Sequence, residues 1–154
     1  RRSYLWKMQI TNFNLRVYGL LIQEGKVLIT HEHRAGMVMT KFPGGGLEKG
    51  EGLADGLRRE FMEELSLEVD VRGIFYVNEF LQISAFNPKD QLISFYFYVR
   101  PEVDNYVISS GSIDKLNPDD QIFEWVSIDK LAEIEFTFPI DREVVKRILA
   151  SRRS

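Results

Sequence analysis

The feature that most constrains this chain is a glycine-rich passage leading into an amphipathic helix that carries three clustered acids. After Phe42-Pro43-Gly44-Gly45-Gly46, the residues Leu53, Leu57, Phe61 and Leu65 recur at intervals of four. At about 100° per residue these four drift across one apolar stripe, which must face a sheet. With Leu53 at zero, Glu60, Glu63 and Glu64 fall at about 340°, 280° and 20°, so three carboxylates converge beside the buried face. Like charges this close disfavour their own ionisation, and the arrangement is destabilising unless a positive group sits among them. A hard divalent cation meets that need. Oxygen donors, with no Cys and two His in the whole chain, point to Mg²⁺ or Mn²⁺ over zinc. Glycines lacking Cβ atoms let the backbone approach a ligand and present carbonyls or amides to it. The combination suggests a metal-bridged phosphate site, because Mg²⁺ shares its coordination between a few carboxylates and substrate phosphates. Arg59, about 40° from Glu63 on the wheel, can pair with these carboxylates and hold their rotamers.

The same segment accounts for the charge balance. The 154 residues include 20 Lys+Arg and 23 Asp+Glu, a net charge of −3. Residues 45–67 alone hold six acids and three bases, so the rest of the chain is balanced. A generally basic binder of nucleic-acid polymers is therefore not expected. The absence of cysteine rules out disulfides, zinc-thiolate sites and thiol nucleophiles, and fits a cytoplasmic protein. Apolar runs such as Ile93–Val99 are too short to cross a bilayer and too aromatic and β-branched for a secretion signal. No membrane segment is expected. The length suits one domain over residues 1–154, able to bury roughly 70% of the surface of its unfolded chain.

Along the chain, Leu15–Ile22 and Val27–Thr30 read as strands joined by a hairpin at Gln23–Lys26. Ile74–Leu81 and Leu92–Val99 read as two more, with turn chemistry at Asn87-Pro88-Lys89-Asp90 between them. Ile122–Val126 is a further strand, followed by a short helix from Ser127 through Leu131. Val144, Val145, Ile148 and Leu149 recur at helical spacing behind Asp141, a candidate N-cap. His31, His33, Arg34 and Lys41 fall in what reads as a polar loop feeding the glycine turn. There Arg34 and Lys41, with the Gly45 backbone, are candidates to grip phosphates, while the histidines read as exposed.

Residues 45–67, GGLEKGEGLADGLRREFMEELSL, resemble the Nudix box, G-x5-E-x7-R-E-U-x-E-E-x-G-U with U apolar. Gly45, Glu51, Arg59, Glu60, Phe61, Glu63, Glu64 and Leu67 stand on its fixed positions, and Ser66 replaces its second glycine. A residue there normally adopts the left-handed cap conformation, which costs serine on the order of 1 kcal/mol. Together with the flanking strands, the Glu124-Trp125-Val126 strand and the Phe138-Pro139 corner before the last helix, the resemblance to MutT-like Nudix hydrolases covers roughly residues 13–150. Residues 1–12 would be an N-terminal extension, with Tyr4–Met8 as an added edge strand or a contact in a homodimer.

The resemblance implies an α/β Nudix fold: an α/β/α sandwich with a central mixed β-sheet and the box as loop and helix. It implies Mg²⁺-dependent hydrolysis of a phosphoanhydride bond in a nucleoside diphosphate linked to another moiety. The candidates are nucleoside triphosphates, ADP-sugars or other nucleotide sugars, and dinucleoside polyphosphates. By position, Glu60, Glu63 and Glu64 would hold the metal with a backbone carbonyl of Gly44, while Glu51 and Arg59 would buttress the site. Asp119 and Asp120 are further candidate ligands, and Glu60, Glu63, Asp119, Asp120 and Glu124 compete as general base. Arg142, beside the Phe138-Pro139 corner, is a candidate contact to the base. A non-catalytic Nudix-fold module sensing a nucleotide or sugar and regulating a partner is the alternative, but such modules commonly lose box carboxylates and this chain keeps Glu51, Glu60, Glu63 and Glu64. Isomerisation of a diphosphate usually needs a cysteine, and the chain has none.

Overall fold

The computed structural model describes residues 9–152, so the Tyr4–Met8 segment, expected as an edge strand or dimer contact, lies outside the described residues. Strand β1 (Asn12–Gln23) is the spine of the molecule, followed by β2 (Lys26–Arg34), β3 (Met37–Lys41), β4 (Gly44–Gly46), helix α1 (Leu53–Leu65), β5 (Val69–Val77), β6 (Asp90–Pro101), β7 (Gln121–Ser127) and helix α2 (Pro139–Ser151). A 3₁₀ helix, Ile128–Glu133, connects β7 towards α2. The sheet is mixed, in the order β3-β2-β1-β6-β5, with β4 also on β1 and β7 also on β2. β1 and β6 run parallel, in register from Asn12 opposite Asp90 to Leu21 opposite Val99. The other pairings are antiparallel.

Strand periodicity explains the layering. Successive side chains point to opposite faces, so Val17 and Leu21 join Leu57, Phe61 and Leu67 beneath α1. Tyr18 and Leu20 join Ile140, Val144 and Ile148 beneath α2. Helices on both faces make the expected α/β/α sandwich. Gly19 faces α1, and a Cβ there would lie 2.6 Å from the Phe61 ring. The missing methyl is what admits Phe61, whose full burial contributes about 2–3 kcal/mol.

Several boundaries differ from the sequence reading. The hairpin at Glu24-Gly25 is present, with φ of 51° and 74°, a type I′ turn whose twist matches its strands. The stretch expected as a polar loop is instead a second hairpin, with Arg34 opposite Met37 and Ala35-Gly36 at φ 51° and 75°. The run His31-Glu32-His33-Arg34 hides the alternation that marks a strand, and alanine is no signal for a left-handed turn. β5 ends at Val77 rather than running to Leu81. Asn78 there turns its side chain onto β6, accepting from the Ser94 amide at 2.8 Å and donating to the Leu92 carbonyl at 3.2 Å. Asp141 is not the N-cap of α2. Phe138 occupies that position with Pro139 at the first helical residue, where the ring's fixed φ is already helical, and the Asp141 side chain is buried instead. No helix among the described residues is long and apolar enough to cross a membrane.

Helix α1 ends as its box position demands. Ser66 sits at φ 51°, ψ 37°, its amide donating to the Met62 carbonyl at 3.0 Å. Ser66→Gly is expected to raise stability by about 1 kcal/mol, read from chemical denaturation midpoints, because glycine adopts this conformation without strain.

Candidate active site

Arg59 organises the box. Its Nε and Nη2 donate to both carboxylate oxygens of Glu51, at 3.0 and 2.6 Å. The same guanidinium donates to Glu60 at 3.1 Å, Glu63 at 3.3 Å and the Gly46 carbonyl at 3.0 Å. One planar fork thus ties the loop to two turns of helix. Glu51 also accepts from the Glu48 amide at 2.8 Å. These bonds, the one to Arg59 first, hold the Glu51 carboxyl down to about 2. Gly56 makes this packing possible, since a Cβ there would lie 2.7 Å from Leu47 and 2.9 Å from Glu51. Sequence reasoning passed over it, although a glycine inside a helix costs about 1 kcal/mol against alanine and so asks for a reason.

Glu60 and Glu64 lie deeper. The Glu60 carboxyl rests against Gly45 so closely that a Cβ would come within 2.6 Å of it, so this glycine is a cradle for a carboxylate. Glu64 is mostly buried, and its Oε2 has no hydrogen-bond partner. Burial first, then the charge of Glu60, pushes its carboxyl up to about 7, against the opposing pull of Lys41 and Gln121. An orphaned buried carboxylate oxygen beside a second carboxylate is unfavourable by itself and fits a hard cation with oxygen ligands. Among the described residues no group of three or more His, Asp or Glu side chains is already gathered closely enough to hold a metal. The reason is visible: Glu60 and Glu63 are turned onto Arg59.

The other sequence candidates separate. Lys41 is buried and pairs with Glu32 at 3.1 Å, close enough to Glu64 to act on its ionisation. Arg34 lies at the exposed end of β2. His31, expected to be exposed, is buried between Thr40 at 2.8 Å and Glu124 at 2.7 Å, so Glu124 is engaged by a histidine. Asp119 and Asp120 are exposed turn residues. Asp119 is at φ 60° after Pro118 and donates its amide to His33 Nδ1 at 3.1 Å, and Asp120 accepts from the Gln121 amide at 2.8 Å. Gly44, at φ 148°, lies buried opposite Tyr18 on β1.

A cavity of about 140 Å³ opens on the α2 face of β1 and β6. Its walls include Tyr18, Met39, Leu92 and Tyr96, with Arg16 and Lys41 at one side and Asp141 at the base of α2. Arg142 does not line it; that side chain donates to the Phe136 carbonyl at 3.2 Å and faces a separate groove with Leu131 and Leu149. Arg16 was the legible residue left unused, a cation inside an apolar strand. It donates to the Tyr18 hydroxyl at 2.6 Å. Burial alone would ease loss of its proton, but Tyr18 and Glu60 outweigh that and hold it charged. Arg16 and Lys41 therefore stand between the acidic helix and the cavity.

Asp141 accepts from the Tyr96 hydroxyl at 2.6 Å, and both are buried. Burial pushes the Asp141 carboxyl up to about 7, opposed by the Tyr96 hydrogen bond and by Lys41, Arg16 and Arg142. Since the folded value lies above the unfolded one, its contribution to stability is complete below about 3.8 and is lost as pH rises through about 7. Asp141→Asn is expected to remove a loss on the order of 4 kcal/mol over that window. Urea melts of the variant and the parent from pH 4 to 8 check it. Glu64 adds a parallel loss in both proteins, so the difference between the two curves isolates Asp141.

The family model for the NUDIX domain matches residues 13–148. A mouse (Mus musculus) protein named nucleoside diphosphate-linked moiety X motif 6 is 28% identical over 129 residues, covering 83% of this chain and 38% of that protein. The chain thus spans well under half the length of the mouse relative. An 8-oxo-dGTP diphosphatase of Buchnera aphidicola subsp. Schizaphis graminum is 28% identical over 134 residues, covering 86% of this chain and 88% of that protein. Among solved structures, the MutT protein of Methanosarcina mazei Go1 superposes with a TM-score of 0.69 at 21% identity, covering 94% of this chain and 98% of that one. The matched span, the intact box and the shared fold agree: the chain belongs to the NUDIX family.

Proposed function

We propose that this protein hydrolyses a phosphoanhydride bond in a nucleoside diphosphate derivative, with the nucleoside end in the α2-face cavity and the phosphates reaching past Arg16 and Lys41 to helix α1. The observation that carries the reading is Glu64, a buried carboxylate with an orphaned oxygen beside Glu60 and its glycine cradle. Glu60, Glu63 and Glu64, with the Gly44 backbone, would hold Mg²⁺ or Mn²⁺. When bound, the cation neutralises the anhydride and acidifies water near phosphorus. Arg59 sets the carboxylate rotamers and Glu51 anchors Arg59. Arg16, half-buried, and Lys41, buried, bind and orient the phosphates as cations. The water oxygen attacks phosphorus, the anhydride P–O bond breaks, and the bridging oxygen leaves with the departing fragment. The water's proton passes to Glu60 or Glu63. The names of the mouse and Buchnera relatives, one referring to a nucleoside diphosphate-linked moiety and the other to 8-oxo-dGTP, support this substrate class.

The purified protein is expected to release phosphate or pyrophosphate from one or more of a panel of nucleoside triphosphates, ADP-sugars and dinucleoside polyphosphates. Release should rise with added Mg²⁺ and stop with EDTA. Turnover that EDTA leaves untouched would overturn the reading. Binding of a panel member without turnover would favour the non-catalytic sensor.

A further inference from the structure

The cavity is bridged at its mouth by two residues from different hairpins. Arg34, at the end of β2, places its guanidinium carbon 5.1 Å from the centroid of the Phe86 ring. Phe86 belongs to the connection between β5 and β6, and both residues line the cavity. Among the described residues the Arg34 side chain makes no hydrogen bond and no ion pair, while Arg58, Arg59 and Arg72 each pair with a carboxylate. An exposed contact of this kind is weak, worth a fraction of what a bidentate ion pair gives. Phe86 is held more firmly. Its amide donates to Ser84 Oγ at 3.1 Å, and the next turn is closed by the Lys89 amide on Asn87 Oδ1 at 3.0 Å and the Asp90 amide on the Asn87 carbonyl at 3.0 Å. A large aromatic ring that is 45% exposed is thus presented on a tied turn, with the long, exposed Arg34 side chain laid over its face.

We infer that Arg34 and Phe86 form a selectivity gate: a planar ring entering the cavity takes the place of the Arg34 guanidinium on the Phe86 face, and the released guanidinium turns to the phosphates. This rests on reading the cavity as the nucleoside end of the site. The exchange is chemically even, since guanidinium and nucleobase are both planar groups that stack on an aromatic face. The cavity volume of about 140 Å³ matches the space that admits one six-membered ring, so the remainder of a larger base lies at the mouth, against Phe86. The gate links two selections, because only a substrate with a stackable ring frees the Arg34 cation. Diphosphate compounds whose free end is a sugar or phosphate gain neither contact.

The test is a comparison of the parent with Phe86→Ala and Phe86→Trp by calorimetry with GTP, ATP and inorganic tripolyphosphate, in EDTA so that no turnover intervenes. Phe86→Ala is expected to weaken both nucleotides about 10-fold or more, the loss of one base-stacking contact, and to leave tripolyphosphate unchanged or tighter. Phe86→Trp is expected to restore nucleotide binding and to have its added indole fluorescence quenched by GTP and ATP. Equal weakening of nucleotides and tripolyphosphate, no weakening at all, or no nucleotide binding by the parent overturns the gate. Absence of Mg²⁺-dependent turnover overturns the hydrolase reading and leaves these binding results standing.

Discussion

Glu64→Gln is expected to lower turnover by roughly 10²–10⁴-fold, the range over which one positioned catalytic group acts, while the protein stays folded. Glutamine keeps the volume and one carbonyl oxygen but loses the charge that a cation requires. The folded carboxyl sits at about 7 against an ordinary 4.5, mainly through burial. Its contribution to stability is therefore complete below 4.5 and is lost as pH rises through about 7. At pH 8 the metal-free parent carries the full cost of an ionised buried carboxylate, and the variant does not. Its melting temperature in EDTA should equal or exceed that of the parent, with kcat in Mg²⁺ nearly abolished. Such a split between activity and stability marks a residue selected for chemistry; full turnover, or a variant that fails to fold, would contradict the assignment.

Two adjacent glycines are expected to fail in different ways when changed to alanine. At Gly44 a Cβ would stand 2.1 Å from the Val17 carbonyl oxygen and 2.7 Å from the Tyr18 Cα, at a backbone φ of 148°. Both neighbours are backbone of the central strand, so relief requires breaking the pairing of β4 with β1. A loss of more than about 4 kcal/mol is expected for Gly44→Ala, seen as little folded protein. At Gly45 the Cβ would meet the Glu60 carboxyl at 2.6–2.7 Å, the end of a side chain that can swing aside. Gly45→Ala should fold, at a cost of about 1–3 kcal/mol, but with Glu60 displaced from its cradle turnover should fall by about 10–100-fold. Thermal melts and kcat on both variants decide it, and equal losses of stability would contradict the distinction.

The box was legible because its chemistry is local. Glycine spacing, a four-residue apolar repeat and three acids on an adjoining stripe lie within 23 consecutive residues, and a helix places them without help from the rest of the chain. The left-handed Ser66 followed from the same reasoning and is present. The β2–β3 hairpin was not legible, because its polar residues from Thr30 to Lys41 are covered only once β7 pairs along β2. His31 illustrates this: a polar residue that belongs in solvent by type is buried because Thr40 and Glu124, from neighbouring strands, satisfy both ring nitrogens.

By itself, the sequence determined the acidic helix and its glycine approach, which rest on a 3.6-residue periodicity that one segment carries alone, and its lack of cysteine pointed to oxygen donors; the layered α/β architecture was implied by the resemblance to the Nudix box. Only the tertiary structure decided that Arg16 and Lys41 stand between that helix and the cavity, that Asp141 rather than Arg142 lines it, and that Arg34 covers Phe86. The reason is physical: these neighbours come from β1, β2, β3, the β5–β6 connection and α2, and parallel pairing of β1 with β6 across 78 residues of sequence is set by global burial that no single segment encodes.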